Sequence, residues 1–272
     1  MLRGMYGAAA GMIAQQQRQE MLTNNLANAN TPGFKADQAS LRSFPNMLIK
    51  AMNTQGQRGP APTIGELTTG VYLQERMPNF RQGDLMETSF NTDVALLQSM
   101  MPETESGRPG ALFYTMQNEN GEIRYSRNGN LTVDGQGFLT SAVGHYVLDT
   151  AGQPVQVGNE EFRVNPQGVI FTQDGAQVAQ LNVVYAEDPM QLVKEGDGLL
   201  RFEGEGELPT AIGNGAIAYQ LQQGFLERSN VDAQATMTEM MNAYRSFEAN
   251  QRVLQAYDQS LEKAVNEVGR IG

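Results

Sequence analysis

The segment MTEMMNAYRSFEANQRVLQAYDQSLEKAVNEVGRI, residues 237–271, places Met237, Met240, Tyr244, Phe247, Leu254, Tyr257, Leu261, Ala264, Val268 and Ile271 at steps of three and four, with one wider gap across Asn250 and Gln251. Side chains at that spacing share one face of an α-helix, so the pattern predicts a single apolar stripe. Ser229 and Asp232 stand at its start with the side-chain oxygens that cap helix N-termini. A helix from Asp232 to Val268 would run about 55 Å at 1.5 Å per residue, longer than an ordinary globular helix. The opposite end carries a looser stripe of Leu2, Met5, Ala9, Met12, Ile13, Leu22 and Leu26, interrupted by Gln15, Gln16 and Gln17. Asn28, Asn30 and the turn Thr31-Pro32-Gly33-Phe34 end it, because Asn and Gly accept left-handed backbone and Pro cannot continue a helix. All 11 prolines fall between Pro32 and Pro209, which leaves both ends free of the strongest helix breaker.

The interior of the chain reads differently. Asn120-Gly121, Asn128-Gly129, Asp134-Gly135 and Asp174-Gly175 separate short segments such as Leu112 to Gln117, Glu122 to Ser126, His145 to Leu148 and Leu181 to Tyr185. These are hairpin signals, and they predict an all-β domain over residues 80–228. Residues 45–79 read as a Gly- and Pro-punctuated connector with a short helix near Met47 to Met52. The expected class is therefore α+β: a long N-terminal helix with its signature turn, residues 1–44, a long C-terminal helix, residues 229–272, paired with it in a coiled-coil-like manner, and a central all-β domain.

Charge divides along the same lines, with 7 basic and 4 acidic residues in 1–79, 8 and 20 in 80–228, and 4 and 6 in 229–272. The net charge of −11 argues against binding a nucleic-acid backbone, and the acidic middle favours solubility. No stretch approaches the roughly 20 apolar residues of a membrane-spanning helix. The start of the chain lacks the Leu-rich centre of a cleaved signal peptide, and its pattern continues past any cleavage point.

Chemistry-bearing motifs are scarce. The chain has no Cys and a single His, His145, which removes disulfides, thiolate zinc sites, multi-histidine metal sites and Cys nucleophiles together. No phosphate-cradling GxxxxGK[ST] loop, GxSxG elbow or HExxH pair occurs. Asn118 to Glu122 fits a hairpin turn better than a calcium loop. The acidic pairs Glu160-Glu161 and Asp93 with Glu87 read as solvated surface charge, although a cell-wall glycan hydrolase would use such carboxylates. A surface adhesin or carbohydrate-binding module on a stalk is a third class. No catalytic, cofactor-binding or metal-binding residue is expected. The stripes have a stronger reading: a 55 Å helix would overhang a β-domain of this size and leave apolar side chains in water unless other chains cover them.

Residues 24–35, Asn24-Asn25-Leu26-Ala27-Asn28-Ala29-Asn30-Thr31-Pro32-Gly33-Phe34-Lys35, closely resemble the N-terminal signature of bacterial flagellar rod and hook proteins. Ser229-Asn230-Val231-Asp232, Glu239-Met240 and the run from Arg245 through Glu248 and Asn250 to Asp258 resemble the C-terminal signature of the same family. Weaker matches lie between, at Thr69-Gly70-Val71, Gln82-Gly83-Asp84-Leu85 with Thr88, and Tyr125-Ser126-Arg127-Asn128-Gly129. One departure is the stretch Gln98 to Gly110, an expected surface loop that intervenes before Ala111-Leu112-Phe113.

The resemblance implies a non-enzymatic rod subunit of the flagellar basal body, part of the drive shaft joining motor to hook and required for motility. It implies paired terminal helices in an inner coiled-coil tube, an outer β layer, and export through the flagellar type III apparatus without signal cleavage to an extracytoplasmic position. The implied partners are other copies of the chain, other axial proteins and that export apparatus, with no nucleic acid, membrane insertion or small-molecule substrate. The expected assembly interface comprises Leu2, Met5, Met12, Leu22 and Leu26 at one end and Met240, Tyr244, Phe247, Leu254, Tyr257, Leu261 and Val268 at the other.

Overall fold

The computed structural model describes residues 2–45, 47–50, 63–67, 70–102 and 109–268. It forms two compact units: one takes the chain up to Ala27, from Asp37 to Met77 and from Asp232 onward; the other takes Asn28–Ala36 and Pro78–Val231.

The first unit is built on two helices, α1 (Leu2–Ala27) and α2 (Ala233–Lys263). The Asp232 carboxylate accepts from the backbone N–H groups of Gln234 and Ala235, both at 3.0 Å, so the capping read from the sequence is in place. A turn of π-helix, Ala264–Val268, follows α2. The helices pack antiparallel, since Gly4 lies against Tyr257 and Gly11 against Asn250. Two short antiparallel pairs also belong to the unit: Leu41–Ser43 with Val71–Leu73, and Met47–Lys50 with Thr63–Leu67. The second pair corrects the expected short helix. Leu48 and Ile49 form an apolar run too short for its periodicity to separate helix from strand, and pairing with Thr63–Leu67 decides for strand. Ala51 and Met52 lie outside the described residues.

The second unit is the β domain. Its largest sheet is antiparallel and has eight strands, in the order Leu131–Val133, Leu139–Ser141, Tyr146–Val147, Ala111–Gln117, Ile123–Ser126, Leu199–Phe202, Leu192–Gly196. The eighth strand, Val183–Ala186, pairs with the first half of Ala111–Gln117, on which Tyr146–Val147 takes the end. The central strand is almost uninterruptedly apolar because both its faces are covered. Leu112, Tyr114 and Met116 enter one core with Val94, Leu139, Phe162 and Leu181, while Ala111 and Phe113 enter a second with Tyr125, Val184 and Leu200. Separate antiparallel pairs join Val94–Met100 to Ala218–Gln223 and Leu85–Glu87 to Phe225–Glu227. The former carries Gln98 and Met100 inside a strand, so the expected loop at Gln98 starts later; residues 103–108 lie outside those described.

Candidate functional site

Apart from Glu248, the residues withdrawn from solvent along α2 are Thr236, Met240, Ala243, Phe247, Asn250, Leu254, Tyr257 and Leu261, at alternating steps of four and three, and Ala264 of the π turn extends the series. Asn250 thus fills the apparent gap in the stripe. Across from it, Gly11 is buried, and a Cβ there would stand 2.8 Å from the Asn250 amide nitrogen. One heptad away on both helices, a Cβ on Gly4 would overlap the Tyr257 phenol. The glycines that look like weak points of an isolated helix are therefore the positions where α2 presents its bulk. Thr23 donates to the Met240 sulfur at 3.7 Å, and Arg18 meets Glu239 at 3.0 Å.

A second apolar set faces water on the same helices. Tyr6 and Ile13 on α1, Met237, Met241, Tyr244 and Val253 on α2, and Val265 beyond it are 44% to 71% exposed. The expected interface residues divide between the two faces. Leu22 is buried, Met5, Met12, Leu26, Met240, Phe247, Leu254, Tyr257 and Leu261 are partly buried, and Tyr244 is exposed; the side chains of Leu2 and Val268 lie outside those described. Sequence reasoning missed Gly4, Gly11, Ala243 and Asn250 on the covered face and Tyr6 on the open one.

The N-terminal signature performs two different local tasks. Asn25 is buried and makes a two-way amide latch within the helical unit, donating to Asp37 O at 2.8 Å and accepting from Asp37 N–H at 2.9 Å. Asn24, Ala27 and Asn30 are exposed, and the Thr31 hydroxyl donates to the Asn28 carbonyl side-chain oxygen at 3.2 Å. Gly33 has φ +69°, a left-handed value that favours glycine, and its N–H donates to Glu227 O at 2.8 Å.

That contact leads to a buried charge cluster in the β unit that the sequence reading did not identify. Lys35, Glu227 and Arg127 have side chains 5%, 2% and 2% exposed. Glu227 Oε1 accepts from Lys35 Nζ at 2.6 Å and from Gly83 N–H at 2.8 Å, while Oε2 accepts from Arg127 Nε at 2.6 Å. Arg127 also donates to Gln98 Oε1 and Leu112 O, both at 2.6 Å, and to Leu96 O at 2.8 Å. Lys35 donates to Arg81 O at 2.8 Å. Burial would raise the Glu227 carboxyl, but the Arg127 and Lys35 charges outweigh it and hold the group below its ordinary value. Lys35 is lowered to about 8, first by burial and then by Arg127, against the pull of Glu227.

Beside the cluster, Asn230 accepts from Ala36 N–H at 2.8 Å and donates to Asn79 O at 2.7 Å and Arg81 O at 3.1 Å. Ser229 accepts from Val231 N–H at 3.3 Å. Lys194 Nζ stands 4.3 Å from the Phe34 ring centre and donates to Lys35 O. Phe34 and Val231 are partly covered, as is Glu248 on α2. Among the described residues no group of three or more His, Asp or Glu side chains is placed to hold a metal ion. His145 is buried beside a hairpin turn, and its backbone N–H donates to the Ser141 hydroxyl oxygen at 3.2 Å.

Comparison with known proteins agrees with these signatures. Residues 5–35 match the family described as flagella basal body rod protein. Residues 109–171 match the D1 domain of flagellar hook protein FlgE/F/G, and residues 222–267 match the C-terminal region of flagellar basal body rod FlgEFG protein. The chain is 46% identical to the flagellar hook-basal body complex protein FlhO of Bacillus subtilis (strain 168), over 100% of both chains. It is 27% identical to the flagellar basal-body rod protein FlgG of Borreliella burgdorferi (strain ATCC 35210 / DSM 4680 / CIP 102532 / B31), over 98% of each. It is 26% identical to the flagellar basal-body rod protein FlgF of Caulobacter vibrioides (strain ATCC 19089 / CIP 103742 / CB 15), again over 98% of each. Whole-length identity and family signatures at both ends and in the middle place this chain in the flagellar basal-body rod and hook protein family.

Proposed function

We propose that this chain is a structural subunit of the flagellar basal-body rod that polymerises helically through its terminal helices, as part of the axial shaft between motor and hook. One observation carries the reading: after α1 and α2 have packed on each other, Tyr6, Ile13, Met237, Met241 and Tyr244 remain more than half exposed. A face of that kind gains its free energy only when another surface covers it. The alternating four-and-three spacing from Thr236 to Ala264 is the repeat of a coiled-coil seam, so the pair acts as a preformed two-helix unit in this reading. The chain reaches its extracytoplasmic site through the flagellar type III apparatus without signal cleavage, and its neighbours are copies of itself and other axial proteins.

The test is Met241→Asp combined with Tyr244→Asp. Purified monomer should keep its helix content and urea midpoint, because both side chains already face water, while basal bodies should lack the variant and cells should lose motility. Motile cells whose rods contain the doubly charged variant would sink the reading. Leu254→Pro provides a harsher control: Pro in the helix interior costs about 3 kcal/mol and should block assembly with the β domain still folded.

A further inference from the structure

The cluster at Glu227 joins parts of the chain that are remote in sequence, 192 residues from Lys35 and 100 from Arg127. Arg127 sits between two sheets: it bonds the carbonyl of Leu96, on the strand paired with Ala218–Gln223, and that of Leu112, on the central strand of the large sheet. Both strands carry the main core through Val94, Leu96, Leu112 and Tyr114. Closing that core therefore buries a guanidinium, and Lys35 brings a second cation into the same dry site. Carbonyl oxygens supply hydrogen bonds but no countercharge. Among the described residues the only carboxylate bonded to both cations is Glu227, on the strand Phe225–Glu227.

We propose that Glu227 is a folding lock: the core of the β unit cannot close until the strand carrying Glu227 docks, so a chain whose last part has not yet arrived stays open. The physical cause is the cost of burying Arg127 and Lys35 without their anion, which exceeds what a partly assembled core returns. Docking of Phe225–Glu227 supplies that charge together with three backbone ties: its ladder to Leu85–Glu87, the Gly83 N–H on Oε1 and the Gly33 N–H on Glu227 O. The lock thus makes completion of the β unit depend on its own first and last segments in sequence, namely residues 33–35 and 225–227.

Native-state hydrogen exchange on the full-length chain across a urea series tests this. In the wild type, amides of Leu96, Leu112 to Met116 and Phe225 to Glu227 should lose protection in one step at a common urea concentration. Glu227→Gln, which keeps shape and removes charge, should cut protection of Leu112 to Met116 by about a hundredfold or more. Lys35→Met added to Glu227→Gln removes one of the two uncompensated cations, and should recover part of the lost core protection while residues 225–227 now open at lower urea than the core. Wild-type residues 225–227 opening ahead of the core would overturn the proposal. So would a Glu227→Gln core with wild-type protection, or failure of Lys35→Met to improve the Glu227→Gln variant.

Discussion

The helical unit holds Tyr6, Ile13, Met241 and Tyr244 out in water, whereas the β unit hides Lys35, Arg127 and Glu227 from it. Each arrangement runs against the ordinary partition of residue types, and each has its own remedy. In the β unit the remedy is internal: Glu227 bonds both cations, and other donors of Lys35 and Arg127 reach backbone carbonyls. In the helical unit the second apolar face stays exposed among the described residues, and under the proposed function its remedy is external. A closed unit and an open one in the same chain are what a polymerising subunit requires, because the first gives the monomer a stable body and the second gives it a reason to associate.

The comparison breaks most visibly at its charges. Arg127→Met should destabilise the β unit by about 3–5 kcal/mol, the usual cost of removing one partner from a buried pair. Arg18→Ala, which deletes a 3.0 Å bridge to Glu239 whose side chains are 30% and 52% exposed, should cost under about 1 kcal/mol. Urea melts followed by hydrogen exchange separate the two units. Equal costs would mean that burial does not distinguish them.

Gly33→Ala comes next. Its φ of +69° is strained for Ala, and the new Cβ would stand 2.5 Å from Arg127 O, a backbone atom with little freedom to retreat. A loss of about 2–3 kcal/mol in the β unit is expected, with helix content unchanged by far-ultraviolet circular dichroism. A smaller contrast tests the two faces of α2. Tyr257→Ala should cost about 1–2 kcal/mol by emptying the covered seam, and Tyr244→Ala under about 0.5 kcal/mol in the monomer. If the two are alike in monomer stability, the assignment of covered and open faces fails.

The finest effect is in pH. Lys35 titrates near 8 in the folded protein and near 10.5 unfolded, so between those values the unfolded chain binds more protons and stability rises with pH. Urea midpoints should climb between pH about 8 and about 9.5, below the tyrosine range, and Lys35→Met should flatten that slope. Glu227 acts at the other end: its lowered folded value gives stability that is present above its ordinary pKa and lost as acid protonates it. A flat alkaline slope in the wild type would show that Lys35 stays charged.

Much of this architecture was legible in the residues. The proline-free ends, the Asp232 cap and the Asn-Gly and Asp-Gly turns predict two helices around a strand-rich middle, because those signals are local. What was not legible depends on pairing. An apolar stripe declares that a face will be covered without saying by what, so Met240 and Tyr244 read alike although one is partly withdrawn and the other 51% exposed. Asn250 looked like a break because its partner is the absent side chain of Gly11, which only the opposing helix reveals. Lys35 and Arg127 lay inside recognised motifs and Glu227 just outside one, but single charges far apart in sequence carry no mark of burial.

Asn230 has a consequence for engineering. Its one amide holds Ala36, Asn79 and Arg81, so the chain's first departure from the β unit, its return and its last departure are gathered on a single side chain. The remaining hairpin ends, such as the exposed Asp174-Gly175 turn, are not points where the chain crosses to the other unit. A fluorescent or affinity cassette spliced between Asp174 and Gly175 interrupts only a hairpin tip, the kind of site where insertions are best tolerated.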